Sequence, residues 1–193
     1  MLVLVALGLA ALLALSVNYY FGILKKTYES KKTTLSFQYP GRWKEVNPTA
    51  LSLIEGMDLS FMTQNSEIIL ADTVKAGGAS NFFRVESLQP QYMSDWNTFK
   101  SDFQNGLTAV ISRMQAAGSP SGLQFTAPTF ADVTIGEDKG FSVSYHISKD
   151  DKVLAIQGVV LPHESQTFLF QLATPNLKTA SAQMKDIMDT VRL

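Results

Sequence analysis

Two histidines, two acidic pairs and one glycine-rich stretch are the places in this 193-residue chain where side-chain chemistry could begin. His146 lies in an alternating stretch, on the face opposite Tyr145. His163 falls in the turn Pro162-His163-Glu164-Ser165. Neither belongs to an H-x-x-x-H or H-E-x-x-H pattern, so zinc is not expected at either. Asp150-Asp151 and Glu137-Asp138 could lend carboxylates to a cation, but each pair reads as a solvated turn. Ala76-Gly77-Gly78-Ala79-Ser80 lacks the lysine and the following helix that a phosphate cradle needs, and reads as a plain loop. Phe82 and Phe83 project to opposite faces of a strand beside Arg84. Core packing is the default for both rings, and one exposed ring is the candidate contact. There is no Gly-x-Ser-x-Gly elbow, Walker loop or Gly-x-Gly-x-x-Gly fingerprint.

Composition narrows the classes further. The chain has no cysteine, which removes disulfides, a thiol nucleophile, thiolate zinc, iron–sulfur ligation and an acylated cysteine. Sixteen basic and 17 acidic residues give a net charge of −1, with no polybasic field to hold nucleic acid. No catalytic residue, cofactor, metal or small-molecule substrate is expected.

The strongest single feature is apolar. Met1 to Leu24 carries no charged side chain, and 13 of its residues are Leu, Val, Ile or Phe. As a helix it would be roughly 36 Å long, against a hydrocarbon core of about 30 Å. The spacing therefore predicts a transmembrane anchor over residues 1–24. No basic segment precedes it, as one would in a cleaved signal peptide. Tyr19 and Tyr20 fall at the membrane interface, and Lys25 and Lys26 mark the exit into water. Lys31, Lys32, Arg42 and Lys44 follow closely, so the positive-inside rule puts the domain in the cytoplasm, with the periplasm or lumen as the alternative. Ala6, Ala10, Ala14, Asn18 and Gly22 recur every four residues. Such a row lets another helix approach closely, and the Asn18 amide would seek a partner there. Ordinary alanine abundance in membrane helices is the alternative.

The elements that follow are read from period and punctuation. Residues 25–33 read as a polar linker. Thr34 to Tyr39 alternates with Leu35, Phe37 and Tyr39 on one face, and Pro40-Gly41 turns the chain towards Trp43. Leu51 to Met62, Glu67 to Val74 and Phe82 to Leu88 read as strands. A helix follows, capped by Ser94 with Asp95 beside it. Its stripe is Trp96, Phe99, Phe103, Leu107, Val110, Ile111 and Met114, and Gly118 and Pro120 end it. Phe141, Val143, Tyr145 and Ile147 alternate in the next strand. A turn at 148–152 leads to a strand from Val153 to Leu161, and a further strand, Thr167 to Ala173, closes the meander. Thr174-Pro175 opens the last helix, whose buried face is Ala180, Met184, Ile187, Met188 and Val191. Strands, a long helix, more strands and a terminal helix imply an α+β domain over 34–193, an antiparallel sheet with helices packed on it.

The run Leu35-Ser36-Phe37-Gln38-Tyr39-Pro40-x-x-Trp43 resembles the opening of the PsbP-like superfamily. The strand at Gly140-Phe141, the two strands after it and the terminal helix fit the close of that pattern. The family includes an extrinsic photosystem II subunit, a Ran-binding protein and bacterial secretion chaperones. The resemblance implies accessory, assembly or chaperone work without catalysis, and carries over no residue with a chemical role. The expected function is thus a non-catalytic subunit of a larger membrane complex, by analogy photosynthetic or electron-transferring. Its partners would be neighbouring subunits and the lipid bilayer. The alternative is a membrane-tethered chaperone or adaptor that captures a client segment.

Overall fold

The structure is a computed structural model that describes residues 24–47, 53–54, 57–58, 65–72, 81–88, 95–117, 122–164 and 166–193. The expected membrane helix, with Ala6, Ala10, Ala14, Asn18, Gly22, Tyr19 and Tyr20, lies outside them, as do Ser94 and the loop 76–80. Among the described residues no helix is long and apolar enough to cross a membrane.

The described strands are β1 (Lys25–Glu29), β2 (Ser36–Pro40), β3 (Trp43–Glu45), β4 (Leu53–Ile54), β5 (Met57–Asp58), β6 (Ser66–Asp72), β7 (Phe82–Leu88), β8 (Gln124–Phe125), β9 (Thr129–Ile135), β10 (Asp138–Lys149), β11 (Lys152–His163) and β12 (Gln166–Thr174). The described helices are α1 (Trp96–Ala117) and α2 (Ala180–Met188). One antiparallel sheet runs β3-β6-β7-β12-β11-β10-β8, with β9 also paired to β10. The α+β architecture expected from the sequence is the one observed.

The sheet is the middle of three layers. On one face Phe82, Tyr145, Ile156 and Ala173 pack with Ile111 of α1. On the other, Phe83, Phe170 and Leu172 pack with Phe37, Trp43, Met184 and Ile187, from the β2–β3 region and α2. Phe82 and Phe83 are therefore both fully buried, and the idea of an exposed ring beside Arg84 is corrected. The strand is central, so both of its faces are core. Burying a phenylalanine removes enough apolar surface that truncation to alanine costs about 3–5 kcal/mol.

Several boundaries differ from the sequence reading. The expected linker begins with a strand: β1 pairs with β2, Tyr28 opposite Phe37, and their rings lie 5.1 Å apart. Lys25 and Lys26 are exposed residues of that strand rather than of a linker. Leu51 to Met62 contains two short strands, β4 and β5, paired as a hairpin, instead of one long strand. Helix α1 is capped by Asp95, whose carboxylate accepts from the Asn97 N–H at 3.1 Å and the Thr98 hydroxyl at 2.6 Å. Val110 is 40 % exposed, because α1 touches the sheet along a narrower line than the seven-residue stripe. Pro162 and His163 continue β11, opposite Thr167 and Gln166. The β10 pairing ends at Val160, so the missing Pro162 N–H leaves no gap on that side. Helix α2 starts at Ala180, not Pro175. The Asn176 N–H donates to Thr174 Oγ1, and the Thr179 N–H to the Asn176 carbonyl, which holds this stretch in turns. Strand β9 was not expected.

Candidate functional site

Arg84 and Gln171 are buried polar residues in the largely apolar middles of two strands, and the β7–β12 register sets them opposite each other. Arg84 Nε donates to Gln171 Oε1 at 2.8 Å, and its Nη1 lies 3.0 Å from Glu86 Oε2. Gln171 Nε2 donates to the Tyr145 hydroxyl at 3.5 Å. Arg84, Gln171 and Tyr145 are all buried. Burial lowers the Arg84 pKa, which Glu86 and then Tyr145 oppose, and the guanidinium still keeps its charge. Burial raises the Glu86 pKa against the pull of Arg84, and pushes Tyr145 up to about 12.

Glu86 opens onto a broad groove, a cavity of about 1160 Å³. It lies between the first two turns of α1, the neighbouring ends of β6, β7 and β12, and the β1–β2 loop. Phe99, Phe103 and Leu88 supply its apolar wall, and Lys32 its cation. Glu67, Glu86, Asp95 and Asp102 make it acidic. Most of these carboxylates are already engaged. Glu67 accepts from the Tyr28 hydroxyl at 3.1 Å and from the Ser30 hydroxyl. Burial first, then Glu67, pushes Tyr28 up to about 12. Asp95 caps α1, and the Thr98 hydroxyl, then the Asn97 N–H, hold it below the usual carboxylate range. Asp102 makes no ion pair among the described residues.

The wall is stiffened from behind. Trp96 stacks on Phe99 at 5.5 Å, and Phe103 meets Phe141 edge-on at 5.4 Å. Aromatic pairs in these geometries contribute about 0.5–1.5 kcal/mol beyond their buried area. The groove is thus an acidic, partly aromatic trough. An acidic lining of this kind is complementary in charge to a Lys- or Arg-bearing segment.

The histidines, acidic pairs and glycine-rich stretch lie elsewhere. His146 is held by its backbone, its N–H donating to Thr126 Oγ1 at 2.8 Å. His163 Nδ1 lies 3.1 Å from Asp138 Oδ2, so the structure brings this histidine to one member of an acidic pair. Asp138 is the first residue of β10, and only Gly136 and Glu137 form that turn. Asp150-Asp151 is the expected turn. Among the described residues no group of His, Asp or Glu could hold a metal ion. Sequence reasoning missed the groove. Its one signal was Arg84 and Glu86 two apart in an apolar strand, which places both on one face.

No family model matches the chain, and no curated protein matches it. Solved structures do. The solution structure of cyanobacterial PsbP (CyanoP) from Synechocystis sp. PCC 6803 superposes with a TM-score of 0.62 at 11% identity. The match covers 88% of this chain and 92% of that one. A crystal structure from Bacteroides thetaiotaomicron VPI-5482 gives 0.50 at 10% identity, over 86% of this chain and 47% of the other. The fold is PsbP-like, as the motif around Pro40 and Trp43 suggested.

Proposed function

We propose that the chain is a non-catalytic accessory subunit of a larger membrane complex. In this reading Met1–Leu24 anchors it as a single transmembrane helix, and the acidic groove receives a basic segment of a neighbouring subunit. The observation that carries the reading is the state of the groove's ionisable groups. Glu67, Glu86 and Asp95 are bound up in structural hydrogen bonds, which favours recognition over acid–base chemistry. The likeness of fold to cyanobacterial PsbP makes photosynthetic and electron-transfer complexes the first to examine.

The small-residue row at Ala6, Ala10, Ala14, Asn18 and Gly22 would supply a helix contact inside the bilayer, and Tyr19, Tyr20, Lys25 and Lys26 would set its depth. The exposed Lys25, Lys26, Lys31, Lys32, Arg42 and Lys44 favour a cytoplasmic domain by the positive-inside rule. Purification of the full chain in mild detergent, followed by native mass spectrometry, tests the proposal. Partners at fixed stoichiometry are expected, and a lone monomer would sink it.

A second reading, a tethered chaperone or adaptor, draws on the groove's size, which suits an extended client segment. It predicts substoichiometric partners that exchange on dilution.

A further inference from the structure

A second cavity, of about 170 Å³, opens between the β2–β3 turn and α2. Lys25, Arg42 and Asp186 line it, all exposed, and among the described residues none of the three makes an ion pair. Trp43 and Gln183 line it too, and each carries a buried polar atom with no hydrogen-bond partner, Trp43 Nε1 and Gln183 Oε1. Trp43 is only 1% exposed. A buried polar group left without a partner costs about 1–3 kcal/mol, so an unpaired donor and an unpaired acceptor at one small cavity are answered by a guest that offers both, a water or a ligand. Neither atom reaches the surface as the side chains stand. Pairing with them therefore requires the carboxamide of Gln183, the half-buried one of the two, to rotate as the ligand enters.

The cavity's position says where such a ligand would come from. The Gly41 N–H donates to the Leu24 carbonyl at 2.6 Å, which pins the last residue of the uncharged run beside the β2–β3 turn. With Met1–Leu24 in the bilayer, the cavity lies at the level of the lipid headgroups. This step rests on the anchor reading above.

We infer that the cavity is a headgroup site for a phospholipid bearing both a phosphate and a primary ammonium, the phosphatidylethanolamine class. Lys25 and Arg42 take the phosphate, with the indole N–H as a further donor. The ammonium donates to Asp186 and to Gln183 Oε1. A choline headgroup has no N–H and satisfies only the cationic half. A glycerol headgroup brings no positive charge to Asp186.

The test uses the full chain, labelled with ¹⁵N in its two tryptophans, in nanodiscs of phosphatidylcholine alone or mixed equally with phosphatidylethanolamine or phosphatidylglycerol. Trp43→Phe identifies the Trp43 indole signal, and Trp96→Phe does so should that variant unfold. The expected result is a shift of the Trp43 signal with phosphatidylethanolamine only, absent in Asp186→Asn and in Lys25→Ala/Arg42→Ala. An identical Trp43 signal in all three lipids overturns the inference. So does an equal shift with phosphatidylglycerol, which would be plain anion attraction. Both results leave the anchor standing, because the chain is in the disc. A chain that fails to enter the discs overturns the anchor and this inference together.

Discussion

Arg84 stands in a strand where every other fully buried neighbour is apolar, and Gln171, Glu86 and, more distantly, Ser66 are among the groups that answer its charge. Removing the guanidinium leaves the half-buried Glu86 carboxylate and the buried Gln171 Oε1 without its bonds, at a cost of about 3–5 kcal/mol. Arg84→Met is therefore expected to lose that much stability in urea denaturation. Arg84→Met combined with Glu86→Leu should recover most of it, since both charges are then gone. The tyrosines give a second prediction at this scale. Tyr28 and Tyr145 are both pushed up from about 10 to about 12, chiefly by burial. A raised pKa means the folded state favours the neutral phenol. That contribution is complete below pH 10 and is lost as the pH rises through about 12. Unfolding monitored by circular dichroism should set in across this window, and Tyr145→Phe should move it to higher pH. Arg84 was visible in the sequence, but its role was not. Its partner lies 87 positions away, and only the register of β7 on β12 joins them.

Elements were legible where the sequence alternates cleanly. Phe141, Val143, Tyr145 and Ile147 are all buried on one face of β10, as their period requires. Four residues of the expected face of α2, Ala180, Met184, Ile187 and Met188, are its buried ones, while Val191 is buried beyond the helix end at Met188. β1 and β9 were illegible for a shared reason. β1 turns only Tyr28 even partly inward, and Asp132 breaks the apolar pattern of β9, where it pairs with Lys100. Both strands are recruited by a neighbour's backbone, which leaves little trace in side-chain period. The β10–β11 pair carries its own test. A Cβ on Gly140 would lie 2.1 Å from the Val160 carbonyl oxygen, and one on Gly158 would lie 2.7 Å from Val143 Cγ1. Backbone cannot yield as a side chain can. Gly140→Ala should cost about 3 kcal/mol or more, and Gly158→Ala about 1–2 kcal/mol, by chemical denaturation.

At the scale of the molecule, three layers hold one sheet with both faces buried, and the groove sits where α1 leaves the end of that sheet open. The groove could not be read from sequence, because its wall, rim and cation come from segments as distant as Lys32, Glu86 and Gln166. The fold class could, because it depends on the order of elements. The proposed anchor adds a prediction of its own: Ala10→Leu with Ala14→Leu should weaken partner retention while leaving the domain's unfolding unchanged. The central claim, that the groove holds a neighbouring subunit, is tested most directly at Asp102, an exposed rim carboxylate without an ion pair among the described residues. Full-length Asp102→Lys and wild type should be purified side by side in mild detergent and the bound partner quantified by mass spectrometry. The account predicts a stoichiometric partner on the wild type and at least about tenfold less on the variant, roughly 1.4 kcal/mol, with the same thermal midpoint. A wild-type chain that purifies alone, or a variant that keeps its partner in full, would contradict it.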